Sequence, residues 1–241
     1  MSRRTLWGCG LLAFALFALV RLPASLLLRA VPAPFQVSGI SGTLWEGRAT
    51  QFGLDGQELV RDLAWQWQPA ALLRGQFGWS LNSGNPGTPV TARLLAGFGG
   101  LRIEDLNARL PAAPLLALAK PLAPFQLGGT LLINAGRIDR HTLTGTTVLW
   151  QDASSLVTPQ ANPFGNYSIA LQRNGDTLDW QLAPQGGRLD ISGKGSLGPA
   201  GPQGALRLQA ADGQATLFAP LLERLPGDGK ARTLQLGAVS H

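Results

Sequence analysis

The chain has 241 residues, a formal charge of +6 and a pI near 10.7, yet only 14 % of it is charged, while 31 glycines and 17 prolines punctuate a 45 % hydrophobic composition. That balance excludes a disordered low-complexity chain and describes many short strands joined by many turns, in one large domain or two small ones. It also excludes a nucleic-acid partner: Arg3, Arg4, Arg21 and Arg29 flank the first apolar segment, and the other basic residues nearly balance the 14 acidic ones without clustering along any phosphate track.

Leu6 to Val20 carries no charge and follows Arg3 and Arg4. As a helix it rises ~22 Å at ~1.5 Å per residue, against a hydrocarbon core of ~30 Å. Leu22–Leu28 adds a second apolar stretch, and Arg21 between the two can snorkel to the interface. A cleaved signal peptide and an uncleaved signal anchor compete here; the exit at Pro23-Ala24-Ser25 has no clean Ala-x-Ala pattern, which favours retention. No acid precedes Glu46, so the leader is expected in the cytoplasm and the body on the other side. Cys9, the one cysteine, lies at the front of the apolar segment, where a lipid-attachment cysteine would not sit. The body therefore needs no disulfide. Residues 1–30 read as leader and anchor, and 31–241 as a β-rich body.

Within the body, Val37-Ser-Gly-Ile-Ser-Gly-Thr-Leu-Trp-Glu-Gly-Arg-Ala49 alternates apolar and polar residues around three glycines, which predicts a strand, a tight turn and a second strand. Period-two rows follow at Trp65/Trp67, Phe77/Trp79/Leu81, Tyr167/Ile169/Leu171, Leu178/Trp180/Leu182, Leu206/Leu208/Ala210 and Leu234/Leu236. These are expected to be half-buried antiparallel strands, with turns at Gly99-Gly100, Asn174-Gly175, Gly186-Gly187 and Asp212-Gly213. Short helices are expected at Pro69–Arg74 before Gly75, at Leu115–Lys120, and at Leu217–Leu225, where Pro220 limits the start. The fold class is thus mainly β: an N-terminal transmembrane helix, then a curved antiparallel sheet with a few short helices.

A weak duplication supports two similar β-halves, 33–121 and 122–241. Ala33-Pro-Phe-Gln-Val37 recurs as Ala123-Pro-Phe-Gln-Leu127, Gly42-Thr-Leu44 as Gly129-Thr-Leu131, and Trp65-Gln66 as Trp150-Gln151. Chance similarity between strand-rich segments is the competing explanation. Since unpaired strand edges aggregate, the halves are expected to continue into one sheet.

Catalytic chemistry is not expected. His141 sits in a polar turn and His241 is terminal, with no cysteine or glutamate cluster to complete a metal site. Gly39-Ile-Ser-Gly42 has the wrong spacing for a nucleophile elbow, and Gly193-Lys194-Gly195 lacks the hydroxyl and upstream glycine of a phosphate loop. Glu104 and Asp105 are adjacent along a strand and so point to opposite faces. No cofactor or metal is expected. The tryptophans of the body read first as core; the sharper alternative is an apolar groove lined by Trp65, Trp67, Phe77 and Trp79.

At this point the chain resembles a known family, the type II (general) secretion pathway protein N of Gram-negative bacteria. The resemblance rests on the arginine leader, the single apolar segment with Leu22-Pro23-Ala24 at its exit, and Ser38–Ala49. It continues through Leu63-Ala-Trp65 with Pro69 and Leu72-Leu73, Gly128-Gly-Thr-Leu131, Trp150 with Ala153, and Pro163-Phe-Gly-Asn-Tyr167. Gly42, Thr43, Leu44, Trp45, Gly47, Trp65, Gly129, Trp150 and Tyr167 carry it, all in structural roles. The resemblance implies a non-enzymatic, single-pass inner-membrane protein with a periplasmic body, an accessory of the machine that exports folded exoproteins. Implied partners are the inner-membrane platform subunits and the outer-membrane secretin. A second expectation comes from the AsmA-like group, which is similar in layout: a membrane-anchored sheet whose apolar face handles or bridges lipid.

Overall fold

The computed structural model describes residues 3–199, 201–227 and 231–237. His241 lies outside them, as do the side chains of Arg3, Arg4, Cys9 and Arg29. Helix α1 (Arg3–Val20) leads into a 3-10 segment (Ala24–Ala30). Among the described residues, no helix is long and apolar enough to cross a membrane.

The strands are β1 (Phe35–Gly42), β2 (Glu46–Leu54), β3 (Gln57–Trp67), β4 (Gln76–Ser83), β5 (Val90–Gly97), β6 (Gly100–Pro111), β7 (Leu127–Asp139), β8 (Leu143–Thr144), β9 (Thr147–Ser155), β10 (Gly165–Asn174), β11 (Thr177–Gly187), β12 (Leu189–Gly198), β13 (Gly201–Ala210) and β14 (Ala231–Leu236). Among the described residues they form a single sheet in sequence order, every strand antiparallel to its chain neighbour, with β8 pairing off the path onto β7. Short helices interrupt the meander without breaking it: α2 (Ala112–Ala117) between β6 and β7, and α3 (Ala215–Leu222) between β13 and β14. A 3-10 turn at Pro69–Arg74 ends on Gly75 in the left-handed region (φ 67°), as the Pro-first, Gly-last pattern dictates. Helix α3 starts ahead of Pro220 and runs through it. Burial of Phe218, Leu221 and Leu222 holds this short helix, where isolated propensity would not.

The register carries one apolar face through the sheet. Trp67 pairs with Trp79 and Trp79 with Leu94; Leu94 pairs with Ile103 and Ile103 with Ile138. Farther along, Leu131, Trp150 and Tyr167 are successive partners, as are Ile169 and Leu182. The opposite face pairs Gln66 with Ser80, Ser80 with Arg93, Arg102 with Asp139 and Gln181 with Lys194. Three strands carry an aspartate at positive φ, Asp62 (54°), Asp105 (50°) and Asp152 (49°), and the last two sit where the register to the neighbouring strand shifts. Aspartate tolerates this region better than most residues, and such bulges bend and twist a strand locally.

The apolar face is covered unevenly. Over β7–β14 a large cluster includes Phe125, Trp150, Phe164, Tyr167 and Leu189, capped by Phe218, Leu221 and Leu222 of α3. Over β1–β4 the buried cluster is Ala24, Ala49 and Trp65, with Leu27, Val37, Ile40, Trp79 and Leu81 partly buried against it. Leu115 of α2 packs against the large cluster and against a third one, Leu54, Leu59 and Val60.

Candidate functional site

Two features are built well enough to act on something outside the fold: the joint between α1 and the sheet, and a cavity on the apolar face.

The joint is the β1–β2 turn. The Thr43 hydroxyl accepts from the Trp45 and Glu46 N–H groups (3.3 and 3.1 Å), and the Thr43 N–H donates to the Glu46 carbonyl (2.8 Å), which closes the turn. The three turn carbonyls are then taken by tryptophans. Trp65 Nε1 donates to Thr43 O (3.1 Å), Trp79 Nε1 to Leu44 O (3.1 Å), and the Trp67 N–H to Trp45 O (2.6 Å). Trp45 reaches the other way, donating from Nε1 to Leu19 O near the end of α1 (2.8 Å), while the Leu44 N–H donates to Leu22 O (2.9 Å). The turn therefore ties helix to sheet. Gly47 has a reason too: a Cβ there would lie 2.5 Å from the Trp65 ring.

All four residues of the expected groove lie on one face, but they do not line an open groove together. Trp65 is buried, Trp79 and Trp67 are half-buried, and Phe77 is exposed. Trp67 leans on Trp45 (ring centroids 5.0 Å) and Phe77 stacks on Trp79 (6.4 Å).

The same device recurs. Trp150 Nε1 donates to Gly128 O (2.9 Å), and both this pair and Trp65–Thr43 span 22 residues of chain. Gly129 sits at φ 108° beside the Trp150 ring, where a Cβ would lie 2.9 Å from Nε1. Trp180 repeats the ring-over-glycine arrangement, lying across Gly195 and Gly204 on the next two strands. Tyr167, fully buried, packs 5.2 Å from Trp150 and donates its hydroxyl to Leu189 O. Burial pushes that phenol well above its ordinary range, so it stays a neutral donor.

The cavity holds about 360 Å³, at the low end of small-molecule sites. Trp150, Trp180, Leu182 and Leu206 line it from the sheet; Leu116, Leu122 and Leu221 line it from the segments above. Its lining is leucine, isoleucine, alanine, proline, phenylalanine and tryptophan throughout, so it can hold hydrocarbon and offers a charged group nothing. The Trp180 row was legible as a strand; its cavity depends on α2 and α3 closing over it from distant positions. A larger polar recess of about 770 Å³ lies along β1–β4, lined in part by Arg48, Asp62, Gln66 and Asn82.

Charged groups gather where β6 meets β7. Arg137 Nε donates to Asp139 Oδ2 (3.0 Å), Arg102 lies 3.8 Å from the same oxygen, and Arg102 also pairs with Glu104 (3.5 Å). The His141 N–H, Arg137 and the Thr142 N–H together hold the Asp139 carboxyl down at about 2 despite partial desolvation. His141 contributes its backbone, not its ring. Among the described residues no group of three or more histidine, cysteine, aspartate or glutamate side chains could hold a metal ion.

Comparison with known proteins adds the family. The family model for type II secretion system (T2SS), protein N, matches residues 33–233. Type II secretion system protein N of Vibrio cholerae serotype O1 is 33 % identical over 117 residues, covering 46 % of each chain. The Aeromonas hydrophila protein of that name is 34 % identical over 121 residues, 48 % of this chain and 47 % of its own. That of Klebsiella pneumoniae is 30 % identical over 216 residues, 83 % of this chain and 81 % of its own. The chain thus spans about half the length of the first two and most of the third. No solved structure matches. The match covers β1–β13 whole and includes the indole-to-carbonyl bonds of Trp65, Trp79 and Trp150, and the chain belongs to the type II secretion system protein N family.

Proposed function

We propose that the protein is a non-enzymatic accessory component of type II secretion, tethered in the inner membrane by α1 with its body in the periplasm. There it contacts the inner-membrane platform subunits and the secretin during export of folded exoproteins. This reading rests on the family match over 33–233, together with the structural use of the motif: its indole and hydroxyl groups bond backbone within the chain. The 18 residues of α1 rise ~27 Å, a few ångströms less than a ~30 Å hydrocarbon core, and the apolar Leu22–Leu28 continues from them. Bilayer thinning and snorkelling of Arg21 absorb a mismatch of that size at modest cost. Photo-crosslinking from the polar face of the sheet in secreting cells is expected to trap secretion subunits, and protease added to spheroplasts is expected to digest the body. Protection of the body from that protease, or normal exoprotein release after deletion of the gene, would overturn the reading.

A second reading comes from the 360 Å³ cavity, whose lining suits an acyl chain. Each methylene brought in from water contributes ~0.8 kcal/mol. Native mass spectrometry of the full chain is expected to show co-purified phospholipid that Ala119→Trp, which fills the cavity, displaces. An unliganded spectrum for both proteins removes the lipid reading and leaves the secretion reading standing.

A further inference from the structure

In an antiparallel meander, alternate turns fall at the same end of the sheet. The β1–β2 turn bound to α1, the β3–β4 connection and the β5–β6 hairpin therefore share one end. The tips of the latter two are apolar and open. Leu73 in the Pro69–Arg74 turn is 91 % exposed, Phe98 in the Gly97-Phe98-Gly99-Gly100 hairpin is fully exposed, and Leu101 and Phe77 follow at 59 % and 46 %.

These residues form one patch. Phe77 and Leu101 both pair with Ala96, on either side of it, and a Cβ on Gly97 would lie 3.4 Å from Gly75 O, so the hairpin tip abuts the turn that carries Leu73. The left-handed Gly75 closes that turn and leaves Leu73 pointing to solvent. Exposed apolar residues scattered singly are ordinary, but a contiguous set on adjoining tips marks an interaction surface.

The occupant follows from position. The patch runs from two to four strand spacings beyond the turn that grips Leu19, roughly 10–20 Å from it. Toward its end α1 presents Phe14, Phe17 and Val20 outward, and Arg21 lies 5.5 Å from the centre of the Phe17 ring, a geometry that leaves its charge at a helix end. Arg74 is exposed beside Leu73, ready for anionic headgroups. We infer that Leu73, Phe98, Leu101 and Phe77 form a second membrane contact, dipping into the lipid interface beside the anchor and fixing the sheet end-on to the bilayer. This inference builds on the anchor reading above but concerns separate residues. Interfacial apolar side chains of this kind enter to ~5–10 Å.

The test uses the full chain with Cys9→Ser, reconstituted alone into phosphatidylethanolamine/phosphatidylglycerol vesicles. Spin labels go onto single cysteines at Phe98→Cys, Leu73→Cys, Phe14→Cys and Leu156→Cys. Leu156 is 74 % exposed at the opposite end of the sheet and serves as the aqueous reference. Labels at 98 and 73 are expected to be several-fold less accessible to a water-soluble nickel chelate, and more accessible to oxygen, than the label at 156. Labels at 98 and 73 matching 156, with the label at 14 shielded, sink the second contact and leave the anchor intact. A water-exposed label at 14 with 98 and 73 shielded sinks the anchor and keeps the contact. Equal shielding at all four positions also overturns it, since the patch would then be nothing distinct.

Discussion

The sheet uses one bond twice and surrounds it differently each time. At Trp65 and at Trp150 an indole N–H closes on a carbonyl 22 residues back. Around Trp150 the apolar face is roofed by α2 and α3, and the aromatic rings of Phe164, Tyr167 and Phe218 pack at mutual angles between 60° and 84° through Phe164. Around Trp65 the buried cluster is small, and tryptophans instead grip a turn that also holds α1. A shared hydrogen bond thus serves a packed core in one region and a mechanical joint in the other. Stability should be concentrated in β7–β14, and attachment in β1–β4.

The strongest way to break that comparison is Phe218→Ala. The ring is fully buried, edge-on to Phe164 at 6.1 Å, and its loss is expected to cost about 3–5 kcal/mol in denaturant unfolding. Trp79→Phe in the joint keeps most of the ring and leaves Leu44 O without its donor, an expected cost of about 1–3 kcal/mol. The reverse order would locate the core in the wrong region. Next come Trp65→Phe and Trp150→Phe, each expected to cost about 1–3 kcal/mol because each strands one carbonyl. A large loss at only one of them would show that the two bonds are not equivalent.

Gly47→Ala and Gly195→Ala sharpen the same point from the other side. Each Cβ would press on a tryptophan ring and on backbone of the neighbouring strand, so each is expected to cost about 1–3 kcal/mol by overpacking. Smallest is the seam between the regions. Asp139, held at about 2 against an unfolded value near 4, contributes stability fully present above pH ~4 and lost as pH falls towards 2. Unfolding of Asp139→Asn should be flatter over that window, and an unchanged acid limb would remove the ion cluster from the account.

Much of this was legible in the sequence because period-two rows and glycine turns are local signals. The Trp65, Trp79, Tyr167 and Trp180 rows, the Asn174-Gly175 turn and the Pro69–Gly75 unit all lie where their spacing puts them. Asp105 and Asp152 were not legible as bulges, since an aspartate within a strand reads simply as an outward polar residue. The grouping of Trp65, Trp67, Phe77 and Trp79 on one face followed from alternation, whereas their bonds to the β1–β2 turn depend on cross-strand register. The cavity was out of reach for the same reason: α2 and α3 close it from positions roughly a hundred residues apart.

The strictly sequential strand order has a kinetic consequence. Each new strand docks on the one made just before it, so most loops that must close are short and the entropic toll of closure stays small. A chain emerging amino end first can lengthen its sheet strand by strand, always onto a finished neighbour. The joint with α1 is complete once β4 is in place, long before Phe218 arrives to seal the far end.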